Sequence, residues 1–440
     1  MKVLGVPLAD TASDYYRIVE PLRALTWSTD VEAMIVPLAD PDSETPVRVV
    51  RVGTPGDDEL KAAAAEVFPD DAALQAAWIQ YQLAVPDAAT CDMVAMTRRY
   101  ERTALALIYK LQAAGVRVVY DMDDDPWSVP PENPAYASWG PNGRQVLAWF
   151  DYLKKPTPFS PRTPKAAAEY TAAMRAGLVA CARAADALTV TTPRLVQVFQ
   201  RFNKHIYLLP NQMKLNDWLM VQPMDHPGEL WFGWAGSKTH LGDVAWLEPA
   251  VVDVLKAVPD AKFVIIGFPE LLASMPKIPR DRVIVFDRQP LDKYRPLLAS
   301  LDVVWAPSAP IAFNHAKSDI RVLEAFMCMR PVVASETTYG DTTRTSHGGL
   351  VARTVREWAT HTIKLLTDEA LRTMMGKDGA NYTGEHRTYE TQYGLWRAAY
   401  EDIMLRPTKT PPASEAAWHA AIAAAPMTDL RGNAVLPARR

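Results

Sequence analysis

Short apolar runs alternate with longer stretches in which apolar residues return every third or fourth position, along almost the whole chain. KVLGVPL (2–8) opens the series, followed by a polar turn and the helical pattern SDYYRIVEPLRALTW (13–27). VEAMIVPL (31–38), VRVVRVG (47–53) and CDMVAMTRR (91–99) read as further strands. YERTALALIYKLQAAG (100–115) reads as a helix closed by Gly115, and VRVVYDMDDD (116–125) as a strand with an acidic end. Strands separated by helices predict a parallel sheet covered on both faces.

Residues 126–164 are dense in Pro, Gly, Trp and Asn, which break both regular periods, and they read as a long loop or lid. PKAAAEYTAAMRAGLVACARA, DALTVTT, PRLVQVFQRF and HIYLLPN then give helix, strand, helix and strand. The alternation restarts at ELWFGWAG (229–236) and runs through AKFVIIGF, RVIVFD, LDVVWAPS and RPVVAS, with helices between them. Two α/β halves follow. The expected divisions are 1–210, 211–385, a helix over 386–406, and a Pro/Ala-rich tail over 407–440.

Composition narrows this little. A hydrophobic fraction of 49% with 22% charged residues belongs to a folded globular chain. The net charge of -4 advertises no polyanionic partner. Cys91, Cys181 and Cys328 lie far apart, with no metal-site spacing, as in a reducing compartment. No run approaches the ~18 apolar residues of a membrane span, and the N-terminal apolar run is too short for a secretion signal, so a cytoplasmic location is expected.

The chemistry concentrates in FNHAKSDIRVLEAFMCMRPVVAS (313–335). Ile320, Leu323 and Met327 form a core-facing helical stripe. Ser318 is the expected N-cap, so the helix start offers backbone N–H groups beside Lys317 and Arg321. Donors, dipole and cations together suit a phosphate-bearing ligand beyond the carboxyl ends of the strands. Glu324 is then placed to accept two hydrogen bonds from ribose hydroxyls. An amphipathic helix with a salt-bridged surface is the competing reading.

This segment resembles the C-terminal donor-site signature of GT-B glycosyltransferases, the family-4-like group that uses nucleotide sugars. LPNQMKLNDW resembles their interdomain segment, WFGWAGSKTHLGDVAWLEPAVVDVLKAVPDAKFVIIGF their first nucleotide-binding unit, and SDYYRIVEPLRAL and VVYDMDDDPW stretches of their N-terminal domain. The resemblance implies a GT-B fold, two Rossmann-like domains with parallel sheets facing a cleft. It also implies transfer of a sugar from a UDP- or GDP-linked donor to an acceptor hydroxyl, with retention of configuration and no metal or tightly bound cofactor. Glu324 matches the second glutamate of the family's E-x7-E motif, while Ala316 stands where the first would be. The role of that first glutamate is then either absent or taken by a neighbour such as Asp319.

Within GSKTH, Gly236 would let backbone N–H groups reach phosphate, with Ser237 alongside and Lys238 or His240 adding charge; for His240 a structural role is equally open. Asp121 and Asp123 form a D-x-D, the metal clamp of a different glycosyltransferase class. Because the phosphate site is expected in the other half, Asp123 and Asp124 are read as acceptor-side residues that orient or deprotonate a hydroxyl, or else as partners of nearby arginines. The acceptor is a glycan, a lipid-linked sugar, or a hydroxylated base in DNA as in some phage enzymes of this fold. A nucleotide-sugar epimerase and a non-catalytic binding module are the alternatives. Oligomeric state is not legible.

Overall fold

Continuous Val/Ile/Leu/Met runs, buried on both faces, build two separate sheets in the computed structural model. It describes residues 1–6, 15–27, 30–35, 91–98, 100, 102–153 and 161–414, with residues 417, 420–421, 427–428 and 434–435 of the tail. The strand expected at 47–53 lies outside the described residues. Two compact units divide the chain: residues 1–129, 135–210 and 393–440 form the first, and 130–134 and 211–392 the second.

The first unit holds a six-stranded parallel sheet of β1 (Lys2–Val6), β2 (Glu32–Ile35), β3 (Met93–Thr97), β4 (Arg117–Met122), β5 (Ala187–Val190) and β6 (Ile206–Leu208), in the order β2-β1-β3-β4-β5-β6. Val3, Met93, Ala95 and Val119 pack with Ile18 and Leu22 in its core. Trp396, Ala399, Tyr400 and Ile403, from the helix Tyr389–Leu405, complete the same cluster. Arg17 is buried here. It donates through Nε and Nη2 to Asp121, and its guanidinium lies 4.8 Å from the centre of the Trp396 ring.

Residues 126–164 are not one long loop. Helices Tyr136–Trp139 and Gly143–Leu153 stand inside them. Val146 is buried while Arg144, Gln145 and Tyr152 are exposed, so an amphipathic period sits between the prolines. Gly143 is needed because a side chain there would collide with the Pro164 carbonyl.

The second unit repeats the architecture with β7 (Leu230–Ala235), β8 (Ala261–Ile266), β9 (Val283–Phe286), β10 (Val303–Ala306), β11 (Val332–Ser335) and β12 (Gly349–Ala352), ordered β12-β11-β10-β7-β8-β9 and all parallel. Trp305 anchors its core, with Phe232, Phe263 and Trp358 ring centres within 5.8 Å and its indole N–H donated to Thr362. The chain runs outward from β7 through β8 and β9, then returns to β10 on the other side. The switch point therefore lies between β7 and β10, and ligands of open α/β sheets bind at the carboxyl ends of such strands.

In the second unit β12, the kinked helix Glu336–Ser346 and the helix Glu369–His386 were also not anticipated. Gly376 and Gly379, inside the last, are buried helical residues. A side chain at Gly376 would strike the Met329 carbonyl, and one at Gly379 the Phe326 ring. These glycines let the helix press closely on Ile320–Met327. No helix among the described residues is long and apolar enough to cross a membrane.

Candidate functional site

Three loops converge at the carboxyl ends of β7, β10 and β11, and one polar network holds them together. Asp243 stands at its centre. One carboxylate oxygen accepts from the Ala309 amide at 2.8 Å and the Asn314 side chain at 2.6 Å, and the other lies 3.0 Å from His240 Nδ1. Thr338 donates to the Asn314 carbonyl and pairs with the Ser308 hydroxyl, while the Ser335 hydroxyl accepts from the Ser308 amide. Thr338 holds φ 71, a left-handed conformation that costs a β-branched residue about 1–3 kcal/mol and persists only where its surroundings dictate it.

The loop after β7 carries Gly236, Ser237, Lys238 and His240. Its path rests on Trp234, fully buried beneath it. A Cβ on Gly236 would sit 2.4 Å from the Trp234 ring, so only glycine lets the backbone pass. Gly236→Ala is expected to destabilise the protein by about 1–3 kcal/mol through overpacking, read as a fall of several degrees in melting temperature; an unchanged melting curve would refute the close approach. Ser237 and Thr239 hydroxyls pair at 2.8 Å.

His240 is held neutral. Burial, together with Arg321 and Lys317, pushes its pKa down to about 4 against the opposing pull of Asp243. The site's loops therefore bring His240, Lys317 and Arg321 into one electrostatic neighbourhood. Asp243 stays ionised, because hydrogen bonds from His240, Ala309 and Asn314 outweigh its burial.

After β10 the expected helix forms over Ile320–Met327, but it is not capped by Ser318. Asp319 occupies the N-cap position and makes no side-chain cap, while Ser318 accepts from Asn211 Nδ2 at 2.9 Å. The reason is a stronger competitor. Asp319 is clamped by Arg387 at 2.5 and 2.7 Å and by the Thr342 hydroxyl at 2.6 Å, and these donors hold its carboxyl below the ordinary carboxylate range despite burial. Arg387 also donates to the Asn211 carbonyl.

Arg321 is the residue with no such employment. Its Nη1 is buried and has no hydrogen-bond partner among the described residues, and its guanidinium lies 5.8 Å from the Trp234 ring centre. Lys317 Nζ lies 4.4 Å from the Phe313 ring centre. Glu324, one turn further along, accepts from the Tyr294 hydroxyl at 3.0 Å. Burial and Glu324 push that hydroxyl's pKa well up, so it is a neutral donor. Ala316 is buried in the short turn Asn314–Ala316.

In the first unit Asp123 and Asp124 share Arg98, at 2.6 and 3.2 Å, just past β3. Burial works against the Arg98 charge, but the two carboxylates more than offset it and hold its pKa above the ordinary value. Asp121, the other half of the D-x-D, is fully employed by Arg17 and the Thr189 hydroxyl.

Sequence reasoning missed Asp243, Asn314, Thr338, Tyr294 and Arg387. The i,i+3 spacing of His240 and Asp243 in HLGD was a usable signal for one of them. Arg387 reaches Asp319 across 68 residues and had none.

The family model described as "Glycosyl transferases group 1" matches residues 231–368, from β7 through the helix Val355–Thr367. A search of curated proteins returned no match. Among solved structures, sucrose-phosphate synthase from Thermosynechococcus elongatus is similar over 92% of this chain and 100% of its own, with 14% identity and a TM-score of 0.54. HepE of Anabaena, solved with UDP and glucose, matches over 91% and 100%, with 12% identity and a TM-score of 0.55. A glycosyltransferase from Rickettsia africae matches over 92% and 98%, at 9% identity and a TM-score of 0.55. The chain therefore has the GT-B fold of two parallel-sheet units, and its residues 231–368 are similar to the group 1 glycosyl transferases.

Proposed function

We propose that the protein is a glycosyltransferase that takes its sugar from a nucleotide-diphosphate donor held by residues 211–385, and passes it to an acceptor hydroxyl served by residues 1–210. One observation carries the proposal: Arg321, half-buried, with its Nη1 buried and unpartnered among the described residues, stands at the first turn of a helix at the β7/β10 switch point, beside Lys317 and the GSKTH loop. Charge builds on the departing diphosphate in the transition state, and fixed donors already aimed at it stabilise that state without reorganisation. Arg321 and Lys317, with the Ser237 amide beside them, supply those donors, while the Gly236 amide is donated to the Ile266 carbonyl and fixes the loop, so the transfer proceeds without a metal. Ser318, tied to Asn211, and Asp319, tied to Arg387, position the helix start rather than react. HepE has also been solved with UDP-glucose, which favours a UDP sugar over a GDP sugar.

Glu324 binds the ribose. Glu324→Ala is expected to weaken sugar-nucleotide binding about tenfold, the loss of hydrogen bonds to a charged group, with the unfolding curve retained. Tyr294→Phe, which leaves Glu324 in place, is the control. Unchanged donor affinity in Glu324→Ala would remove the ribose role.

On the acceptor side, Asp123 and Asp124 orient the incoming hydroxyl while Arg98 holds the two carboxylates in place. The acceptor is a glycan or a hydroxylated base in DNA, and transfer retains configuration. Ala316 favours a second reading, a module that binds the donor and does not turn it over. A thermal-shift screen across UDP and GDP sugars tests the donor, since a ligand at 100 times its Kd stabilises by about 2.7 kcal/mol. Product analysis with and without acceptor then separates the transferase from the binding module and from an epimerase. A screen with no stabilising sugar nucleotide would sink the proposal.

A further inference from the structure

The loop after β7 carries a histidine–aspartate pair set among cations, which phosphate binding alone does not require. Asp243 is an ionised carboxylate and only accepts, so His240 Nδ1 must be the donor across their 3.0 Å contact. In the neutral ring this leaves Nε2 as a bare acceptor. Asp243 cannot swing away, because its other oxygen is held by the Ala309 amide and Asn314. The charged groups bearing on the ring are Asp243 from its own turn and Lys317 and Arg321 from the segment after β10. Tyr339, from the helix after β11, is buried in the same neighbourhood, and burial keeps it neutral.

With no ligand, a protonated ring would be a third cation beside Lys317 and Arg321. A diphosphate reverses that balance with two negative charges, and Asp243 is already fixed where an imidazolium needs its counter-ion. We propose that His240 takes up a proton from solvent at Nε2 when the diphosphate of a sugar nucleotide binds, and donates that hydrogen to the diphosphate. This rests on the donor reading above. No bond to the sugar forms or breaks in the step. Its purpose is to add one positive charge to the site only while the leaving group is present.

The linkage has a definite sign. The ring's pKa is about 4 without ligand and higher in the complex. Donor affinity is therefore greatest in acid, falls by at most about tenfold per pH unit as pH rises between the two values, and levels off above the second.

Histidine-15N-labelled full-length protein at about pH 6 provides the test, with UDP-glucose and GDP-glucose as probes because their diphosphate diesters do not titrate there. Long-range proton–nitrogen spectra distinguish the two neutral tautomers from imidazolium, and His240→Gln identifies the resonance. The expected result is an Nδ1–H neutral ring that becomes imidazolium when a sugar nucleotide is added. His240→Gln should bind the same sugar nucleotide with an affinity that no longer falls with pH, and Asp243→Asn should lose the proton uptake. A bound sugar nucleotide with His240 still neutral overturns the proton uptake and leaves the donor site standing. If neither sugar nucleotide perturbs any resonance of the second unit, the donor reading fails and the proton uptake fails with it.

Discussion

Arg321→Ala is expected to weaken sugar-nucleotide binding by roughly ten- to a hundredfold while the melting temperature holds or rises. The two halves of that expectation come from the same geometry. A hydrogen bond to a charged group contributes about 1.5–3 kcal/mol, and each 1.4 kcal/mol is tenfold in affinity. Yet Arg321 makes no ion pair among the described residues, and its buried Nη1 has no partner. Removing it strands no carboxylate. The guanidinium's contact with Trp234 is lost, offset by removing a buried nitrogen that has no hydrogen-bond partner. Titration calorimetry with UDP-glucose and GDP-glucose, beside thermal unfolding, checks both halves. A variant that melts several degrees lower and binds as before would make Arg321 a structural residue and take the phosphate site with it.

The elements were legible where one period dominated. Continuous apolar runs such as VRVVYDM and VVWA could only be strands buried on both faces, and the helix Ile320–Met327 announced itself by its stripe. What escaped was decided by distant packing. GKDGA breaks a helix in isolation, but against the helix Ile320–Met327 its glycines are what allow contact, so tertiary fit overrode local propensity. The short helices within 126–164 were hidden by prolines that bound them rather than exclude them. At the site, residue types were legible and employment was not. Arg321 and Asp319 are two residues apart and both charged, yet one has an unpartnered buried nitrogen and the other is clamped by an arginine 68 residues away. Sequence spacing carries no record of such partners. The same holds for Ser318, whose hydroxyl turns to Asn211 instead of the helix.

Asp319 gives the opposite signature to Arg321, and the contrast separates a structural carboxylate from a reacting one. Asp319→Ala is expected to cost about 3–5 kcal/mol, because it leaves Arg387 buried without its counter-charge. The Arg387 Nε already lacks a partner, and the neutral Asn211 carbonyl and Tyr382 side chain that would still hold the guanidinium bring no counter-charge. At about 2–4 °C per kcal/mol, melting should fall by roughly 10 °C. Asp319→Leu with Arg387→Met removes both charges and should recover most of the loss, a non-additivity that a double-mutant cycle measures. Acid provides an independent check. Burial would raise the Asp319 pKa, but Arg387 and Thr342 outweigh it and hold it below the ordinary value. A depressed native pKa gives stability that is complete above the unfolded value near ~3.9 and is lost as pH falls through the native one. The single variant should therefore lose less stability on acidification than the parent. Turnover assayed well below the melting range should survive in the double variant. If instead the single variant melts like the parent and turns over nothing, Asp319 reacts with the donor sugar in place of the glutamate that Ala316 replaces.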